Sequence, residues 1–141
     1  MRQEIAITVD TVIFKDFRSS AKILLIQRKN APFKNKWALP GGFLEETESL
    51  IEGAKRELFE ETGLELDDLK QLKTYGNLNR DPRGRTISIA FIGELRKEVQ
   101  IKAGDDAKEA DWFRVDELPK LAFDHAQIIE DAKEHLRNNN Y

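Results

Sequence analysis

Apolar positions change their spacing along this chain. Residues 4–14 (EIAITVDTVIF) and 22–28 (KILLIQR) are dense in β-branched and large aliphatic side chains, and the polar KDFRSSA between them predicts a hairpin. Residues 30–37 and 39–42 carry Pro32 and the run Leu39-Pro40-Gly41-Gly42, and read as loops. From Leu50 the spacing lengthens. Ile51, Ala54 and Leu58 recur at helical intervals, Ser49-x-x-Glu52 has the form of a capping box, and Gly63 stands where a helix end favours positive φ, so a helix is predicted over residues 50–62. Strands follow at 69–77 and 86–95, joined by NRDPRGR, in which Pro82 and Gly84 supply turn chemistry. A short strand around Trp112-Phe113 and a helix over residues 124–137 complete the pattern. Several strands with one central and one terminal helix predict a single α/β domain over residues 1–141, its mixed sheet sandwiched between helices.

Composition narrows the partners. The chain has 141 residues, 40% of them hydrophobic, enough for a sizeable core. With 23 basic against 26 acidic residues the net charge is −3, which argues against nucleic acid or an anionic membrane as the main partner but leaves room for a small anion at a local cationic cluster. The absence of cysteine excludes disulfides, a thiol nucleophile and thiolate metal sites. The N-terminus lacks the apolar core of a signal peptide and no run approaches the roughly 18 apolar residues of a membrane span, so a soluble cytoplasmic protein is expected.

The predicted central helix carries the candidate chemistry. At about 100° per residue, Glu57, Glu60 and Glu61 share one patch beside the apolar arc of Ile51, Ala54 and Leu58. Like charges at these spacings repel by about 0.2–0.5 kcal/mol per exposed pair, so the arrangement costs stability unless a cation is bound. A solvated acidic face is the plain alternative. Magnesium suits such a patch, because it accepts a few carboxylates together with waters and the oxygens of a substrate phosphate. Gly53, one turn before Glu57, is expected to leave room for a ligand.

The order of residues is more specific than the charge. Gly42, five residues, Glu48, seven residues, Arg56-Glu57-Leu58, one residue, Glu60-Glu61, one residue and Gly63-Leu64 match every position of the Nudix box, G-x5-E-x7-R-E-U-x-E-E-x-G-U with U aliphatic, and the chain resembles a Nudix hydrolase. That resemblance implies a mixed sheet between helices and metal-dependent hydrolysis, with Mg²⁺ or Mn²⁺, of a nucleoside diphosphate linked to a further moiety. It implies Glu57 and Glu61 as main metal ligands, Glu60 as a ligand or water activator, and the Gly41-Gly42 backbone, Gly42 above all, as an aid to ligation. Arg56 would orient the glutamates and Glu48 would pair with Arg56. A purely structural ion pair is the competing reading for both. Homodimers are a further family expectation.

Arg80, Arg83 and Arg85, crowded into the NRDPRGR turn, are candidates for a diphosphate, since planar guanidinium groups bind phosphate through paired hydrogen bonds. A solvated hairpin tip is the alternative. The stretches RDPRGRTISIAF and LAFDHAQII resemble ADP-ribose pyrophosphatases and their ADP-ribose-sensing relatives, which implies cleavage of ADP-ribose to AMP and ribose 5-phosphate. A nucleoside triphosphate pyrophosphatase and a non-catalytic ADP-ribose sensor are the competing readings. Arg28 is placed to reach a phosphate or to form a surface ion pair. Phe33 and Trp37 are candidates to stack on adenine, against simple loop anchoring. Glu109, or Asp105 and Asp106 beside it, is a candidate late-loop metal ligand or base. Phe123 is a candidate ligand contact. Asp124 after it reads as a helix N-cap and His125 as a packed histidine, with ligand contact the alternative for both.

Overall fold

The structure is a computed structural model that describes residues 1–104 and 107–139. Asp105 and Asp106, two of the candidate bases, lie outside the described residues. In chain order the elements are β1 (Ala6–Lys15), β2 (Lys22–Arg28), β3 (Trp37–Ala38), β4 (Gly41–Phe43), α1 (Leu50–Thr62), β5 (Lys70–Tyr75), β6 (Thr86–Leu95), β7 (Ala107–Arg114) and α2 (His125–Asn138). The strands form one mixed sheet of order β3-β2-β1-β6-β5, with β4 paired to β1 and β7 to β2.

Both long central strands are buried on both faces, which explains their nearly unbroken apolar sequences. Alternate residues divide between two cores. Val12 and Phe14 of β1 join Ala90 and Ile92 of β6 under Ile128, Ile129, Ala132 and Leu136 of α2. Val9, Ile13, Ile89 and Phe91 point to the other face, where Ala54 and Leu58 of α1 cover them and Ile51 packs alongside. The expected sandwich of helices about a mixed sheet is the observed architecture.

The pairing differs from the expected hairpin in one respect. β1 and β2 are antiparallel neighbours, but they register only at Phe14 with Ile23 and Lys15 with Lys22 before diverging. β1 makes its full ten-residue register with β6, in parallel, from Ala6 with Thr86 to Lys15 with Leu95. The expected loops at 30–37 and 39–42 run into two short strands, Trp37–Ala38 and Gly41–Phe43, the second because Gly41 and Gly42 pair with Asp10 and Val9 of β1. β7 is longer than the Trp112-Phe113 segment that its apolar residues reveal, since it pairs with β2 along an edge whose outward positions are polar.

The helix α1 obeys its local signals. The Ser49 hydroxyl accepts from the Glu52 amide, the Glu52 carboxylate accepts from the Ser49 amide at 2.8 Å, and Gly63 turns at φ 76° with its amide on the Phe59 carbonyl. The backbone ahead of β7 closes over its C-terminus: the Lys102 amide donates to the Thr62 carbonyl at 2.7 Å and the Gly104 amide to the Glu61 carbonyl at 3.1 Å. Gly53 serves packing. A side chain there would meet Leu44 and the Glu48 carboxylate, so the room expected for a ligand is filled by the protein.

Candidate active site

A cavity of about 450 Å³ opens where α1, the β4 glycines, the end of β2 and the loop after β5 converge. Its floor is made by Glu57 and Glu61 of α1 against the backbone of Gly41 and Gly42. The Gly41 amide donates to Glu61 Oε1 at 2.7 Å, and Glu61 is 5% exposed. A β-carbon on Gly42 would lie 2.7 Å from all three atoms of the Glu57 carboxyl group, so only a glycine lets strand and carboxylate approach this closely. Burial raises the Glu57 pKa above the ordinary carboxylate value, against the opposing pull of Arg56.

Arg56 holds this acidic cluster together. Its guanidinium donates to Glu48 at 2.7 and 2.8 Å, to Glu57 at 2.9 Å, to Glu60 at 3.3 Å and to the Phe43 carbonyl at 3.2 Å. Glu45 stands 3.2 Å from its Nε. Glu48 sits below the usual carboxylate pKa, chiefly through its hydrogen bonds from Arg56, and the Arg56 pKa is raised chiefly by Glu48. Structural pairing and orientation of the glutamates are therefore the same set of bonds. Glu45 belongs to this network although no spacing rule pointed to it.

Among the described residues no three carboxylate, imidazole or thiol groups converge to hold a metal ion unaided. Magnesium does not require such a cage: it binds through one or two protein carboxylates and fills its octahedron with water and phosphate oxygens. A half-buried carboxylate and a buried one, pressed on a glycine backbone at the floor of a cavity, fit that kind of ion. Glu60 is exposed and lies beside this pair without lining the cavity.

The arginines of the NRDPRGR turn separate. Arg80 is almost wholly buried and donates to both oxygens of Asp124, at 2.6 and 2.9 Å. Burial works against its charge, yet these bonds and the nearby Asp10 and Asp81 hold its pKa above the ordinary value. Asp124 thus spends its carboxylate on Arg80 and makes no side-chain cap on α2, unlike the expected N-cap role. Arg83 forms a similar fork with Asp81, at 2.8 and 3.0 Å, and its guanidinium lies 4.7 Å from the Phe43 ring centre and 5.4 Å from that of Phe123. Both arginines line the cavity. Arg85 does not; it donates to the Gly76 carbonyl at 2.7 Å and faces a separate shallow groove beside Glu4 and Ile5.

Arg28 and Lys29 form the opposite wall. Arg28 donates to the Pro32 carbonyl at 2.7 Å and lies 5.1 Å from the centre of the Phe123 ring. Phe33 meets Phe123 edge to face at 4.8 Å, and both residues hold left-handed backbone, at φ 59° and 52°. Phe123 lines the cavity, whereas Phe33 stands behind it. Trp37 packs on Phe113 at 4.6 Å in the α2 core, which is the anchoring alternative. Glu109 is exposed on β7, opposite Gln27 and outside the cavity lining.

Asp10 and Asp81 line the cavity although the sequence reading named neither, and His125, read there as packed with ligand contact as the alternative, lines it too. Asp10 sits in an apolar strand and accepts a short hydrogen bond from Ser88. His125 is packed, as its apolar neighbours suggest, and its Nδ1 accepts the Leu39 amide at 3.0 Å. A lone acid inside a buried strand was the available signal for Asp10.

A glycine-backed carboxylate pair facing paired guanidinium groups across a small-molecule cavity defines an α/β protein built to hold a polar, anionic ligand. A model of the NUDIX domain matches residues 6–132. The chain is 52% identical over 126 residues to an ADP-ribose pyrophosphatase from Methanocaldococcus jannaschii, a match covering 89% of this chain and 72% of that one. It is 36% identical over 135 residues to an ADPR responsive transcriptional repressor from Acinetobacter baylyi, where it covers 93% of this chain but 54% of the repressor. The NUDIX domain of Shewanella oneidensis NrtR, solved in complex with ADP ribose, matches with a TM-score of 0.89 at 35% identity, covering 96% of this chain and 90% of that one. The chain belongs to the NUDIX family, as the box implied. Among the described residues no helix is long and apolar enough to cross a membrane.

Proposed function

We propose that the protein hydrolyses the diphosphate of ADP-ribose to AMP and ribose 5-phosphate with Mg²⁺ or Mn²⁺. The observation that carries this reading is the Glu57 and Glu61 pair resting on the Gly41-Gly42 backbone at the floor of a cavity walled by Arg28 and Arg83. The names of the Methanocaldococcus enzyme and of the ADP ribose complex support the choice of substrate.

In this reading Glu57, Glu61 and the Gly42 backbone would hold the ion, which when bound would supply positive charge and lower the pKa of a water. Arg56 keeps the glutamates apart and aimed, so their repulsion does not have to be relieved by side-chain rotation. Arg28 and Arg83 face the ligand's negative charge, and the Phe123 ring between them offers an apolar face. Water adds to one phosphorus, the bond from that phosphorus to the bridging oxygen breaks, and the second phosphate leaves with that oxygen. Glu60, already ordered by Arg56, is assigned as the proton acceptor in preference to Glu109. Comparison of Glu60→Gln with Glu109→Gln tests the assignment: loss of kcat in the second variant alone would reverse it.

Turnover of ADP-ribose, sugar nucleotides and oxidised nucleoside triphosphates with Mg²⁺ decides the substrate. The reading expects ADP-ribose to have the highest kcat/KM; a preference for a triphosphate would point to a pool-cleansing pyrophosphatase, and binding of ADP-ribose without turnover to a sensor. Reaction in ¹⁸O-labelled water should place one label in a phosphate of the products. The same reading takes in a single-domain homodimer acting in the cytoplasm, and light scattering of the purified chain tests the dimer.

A further inference from the structure

Behind the glycine pair, on the α2 face of the sheet, lies a buried polar group that the reaction does not consume. His125, the first residue of α2, is 4% exposed, and its Nδ1 accepts the Leu39 amide at 3.0 Å. Asp10 of β1, also buried, lies between His125 and Gly41: its Oδ1 is 3.7 Å from His125 Nε2, beyond hydrogen-bond reach, and its other oxygen accepts from Ser88 of β6. A β-carbon on Gly41 would run into Asp10, so aspartate and glycine are in close contact.

The segment leading into the glycines is secured residue by residue. Leu39 is held by His125, the Pro40 carbonyl accepts from both the amide and the hydroxyl of Thr11 at 2.8 and 3.0 Å, and Gly41 donates to Glu61. Two strong backbone bonds, between Trp37 and the residues just before α2, join the same segment to the start of that helix: the Trp37 amide donates to the Lys120 carbonyl and the Ala122 amide to the Trp37 carbonyl. The helix that closes the fold therefore meets the segment before the glycines at Trp37 through backbone bonds and at Leu39 through one imidazole nitrogen.

We propose that His125 is a positioning residue, whose Nδ1 fixes the Leu39 amide and, through it, the Gly41-Gly42 backbone on which the Glu57 and Glu61 carboxylates rest. A neutral ring is required, because only an unprotonated Nδ1 can accept that bond. Burial, which depresses the His125 pKa, keeps it neutral. The inference rests on the reading of Glu57 and Glu61 as the metal-holding pair, but its local part is testable without metal.

Asparagine and glutamine separate positioning from packing. The amide oxygen of Asn falls near the place of Nδ1, whereas the end of a Gln side chain reaches the place of Nε2. In the metal-free, ¹⁵N-labelled full chain, His125→Gln should accelerate hydrogen exchange at Leu39 and Gly41 by about tenfold, the equivalent of one buried donor left without its acceptor, and His125→Asn should largely restore protection. Binding of Mn²⁺ alone, followed by electron paramagnetic resonance, and kcat on ADP-ribose should fall by a similar factor in His125→Gln, with KM nearly unchanged. Equal exchange and equal kcat in the two variants, or a loss that only tracks their melting temperatures, would overturn the proposal. Failure of the wild-type chain to bind Mn²⁺ would instead overturn the metal reading, and the exchange rates would still decide whether His125 positions the backbone.

Discussion

Replacing Gly42 by alanine perturbs one contact in the site and little else. The new β-carbon would stand 2.7 Å from the Cδ and both oxygens of Glu57. Carbon contacts are ordinarily 3.5–4.0 Å, so the carboxylate must retreat by at least about 0.8 Å, against the 2.9 Å hydrogen bond from Arg56. A misplacement near 1 Å in a reacting constellation costs on the order of 10²-fold, or about 2.7 kcal/mol of transition-state stabilisation. The fold should not suffer, because the backbone at Gly42 is extended strand and alanine restricts the unfolded chain. Gly41→Ala supplies the contrast. Its β-carbon would overlap the Val9 carbonyl oxygen and come 2.9 Å from the Asp10 α-carbon, both backbone, which cannot move aside as a side chain does. Overpacking of that kind costs about 1–3 kcal/mol and should lower Tm by roughly 3–10 °C. The assay is kcat/KM for ADP-ribose with Mg²⁺, beside a thermal melt of each variant. A Gly42→Ala protein that turns over at the wild-type rate, or that melts as low as Gly41→Ala, would refute the reasoning.

Glu61→Gln should lower turnover by orders of magnitude at unchanged fold, since it removes a charge and keeps the shape; retained kcat would return α1 to a plain acidic face. Asp124→Ala leaves the buried Arg80 guanidinium without its partner and should cost about 3 kcal/mol, read as a drop in the denaturation midpoint at constant m-value, and an unchanged midpoint would show that the pair carries no stability. His125 faces Asp10, Asp124, Arg80 and Arg28, and its folded-state pKa lies below the ordinary histidine value because burial disfavours its charge. The unfolded chain then binds the extra proton, so the stability is whole above about pH 6.5 and is lost on acidification below it, by at most about 1.4 kcal/mol per pH unit. Melting curves from pH 7.5 to 5 should fall more steeply for wild type than for His125→Asn, and parallel curves would count against it.

Legibility in the sequence followed the range of the interactions. The helix α1 was readable to the residue because Ser49, Glu52 and Gly63 act within one turn of its ends. The residues proposed to hold the metal stand in one motif because one helix and one loop carry them at fixed spacing. The parallel union of β1 with β6 was not, since alternation reveals a buried strand without naming its neighbour. The arginine turn was half readable: its guanidinium groups were evident, but not that Asp124 and Asp81 hold Arg80 and Arg83 at the cavity while Arg85 turns to the Gly76 carbonyl, and the pairing of Arg80 with Asp124 spans 44 residues. Asp10 was hidden for the same reason, for it belongs to no local motif and the groups it meets, Ser88 and His125, lie far along the chain; His125 was legible as a packed histidine, but not the Leu39 amide whose bond it accepts.

The two halves of the cavity are mounted differently. Glu57 and Glu61 ride on the same helix as Ala54 and Leu58, so their backbone is anchored in the core. Arg28, Phe33, Arg83 and Phe123 stand instead at a strand end or on surface turns, with left-handed residues at Phe33, Asn79 and Phe123 marking where the chain reverses. On the proposed reading, the hydrolytic part and the part that selects the ligand are therefore separable modules. Grafting residues 29–35 and 79–85 from a relative with a different ligand should exchange the preference while the cleavage machinery stays in place.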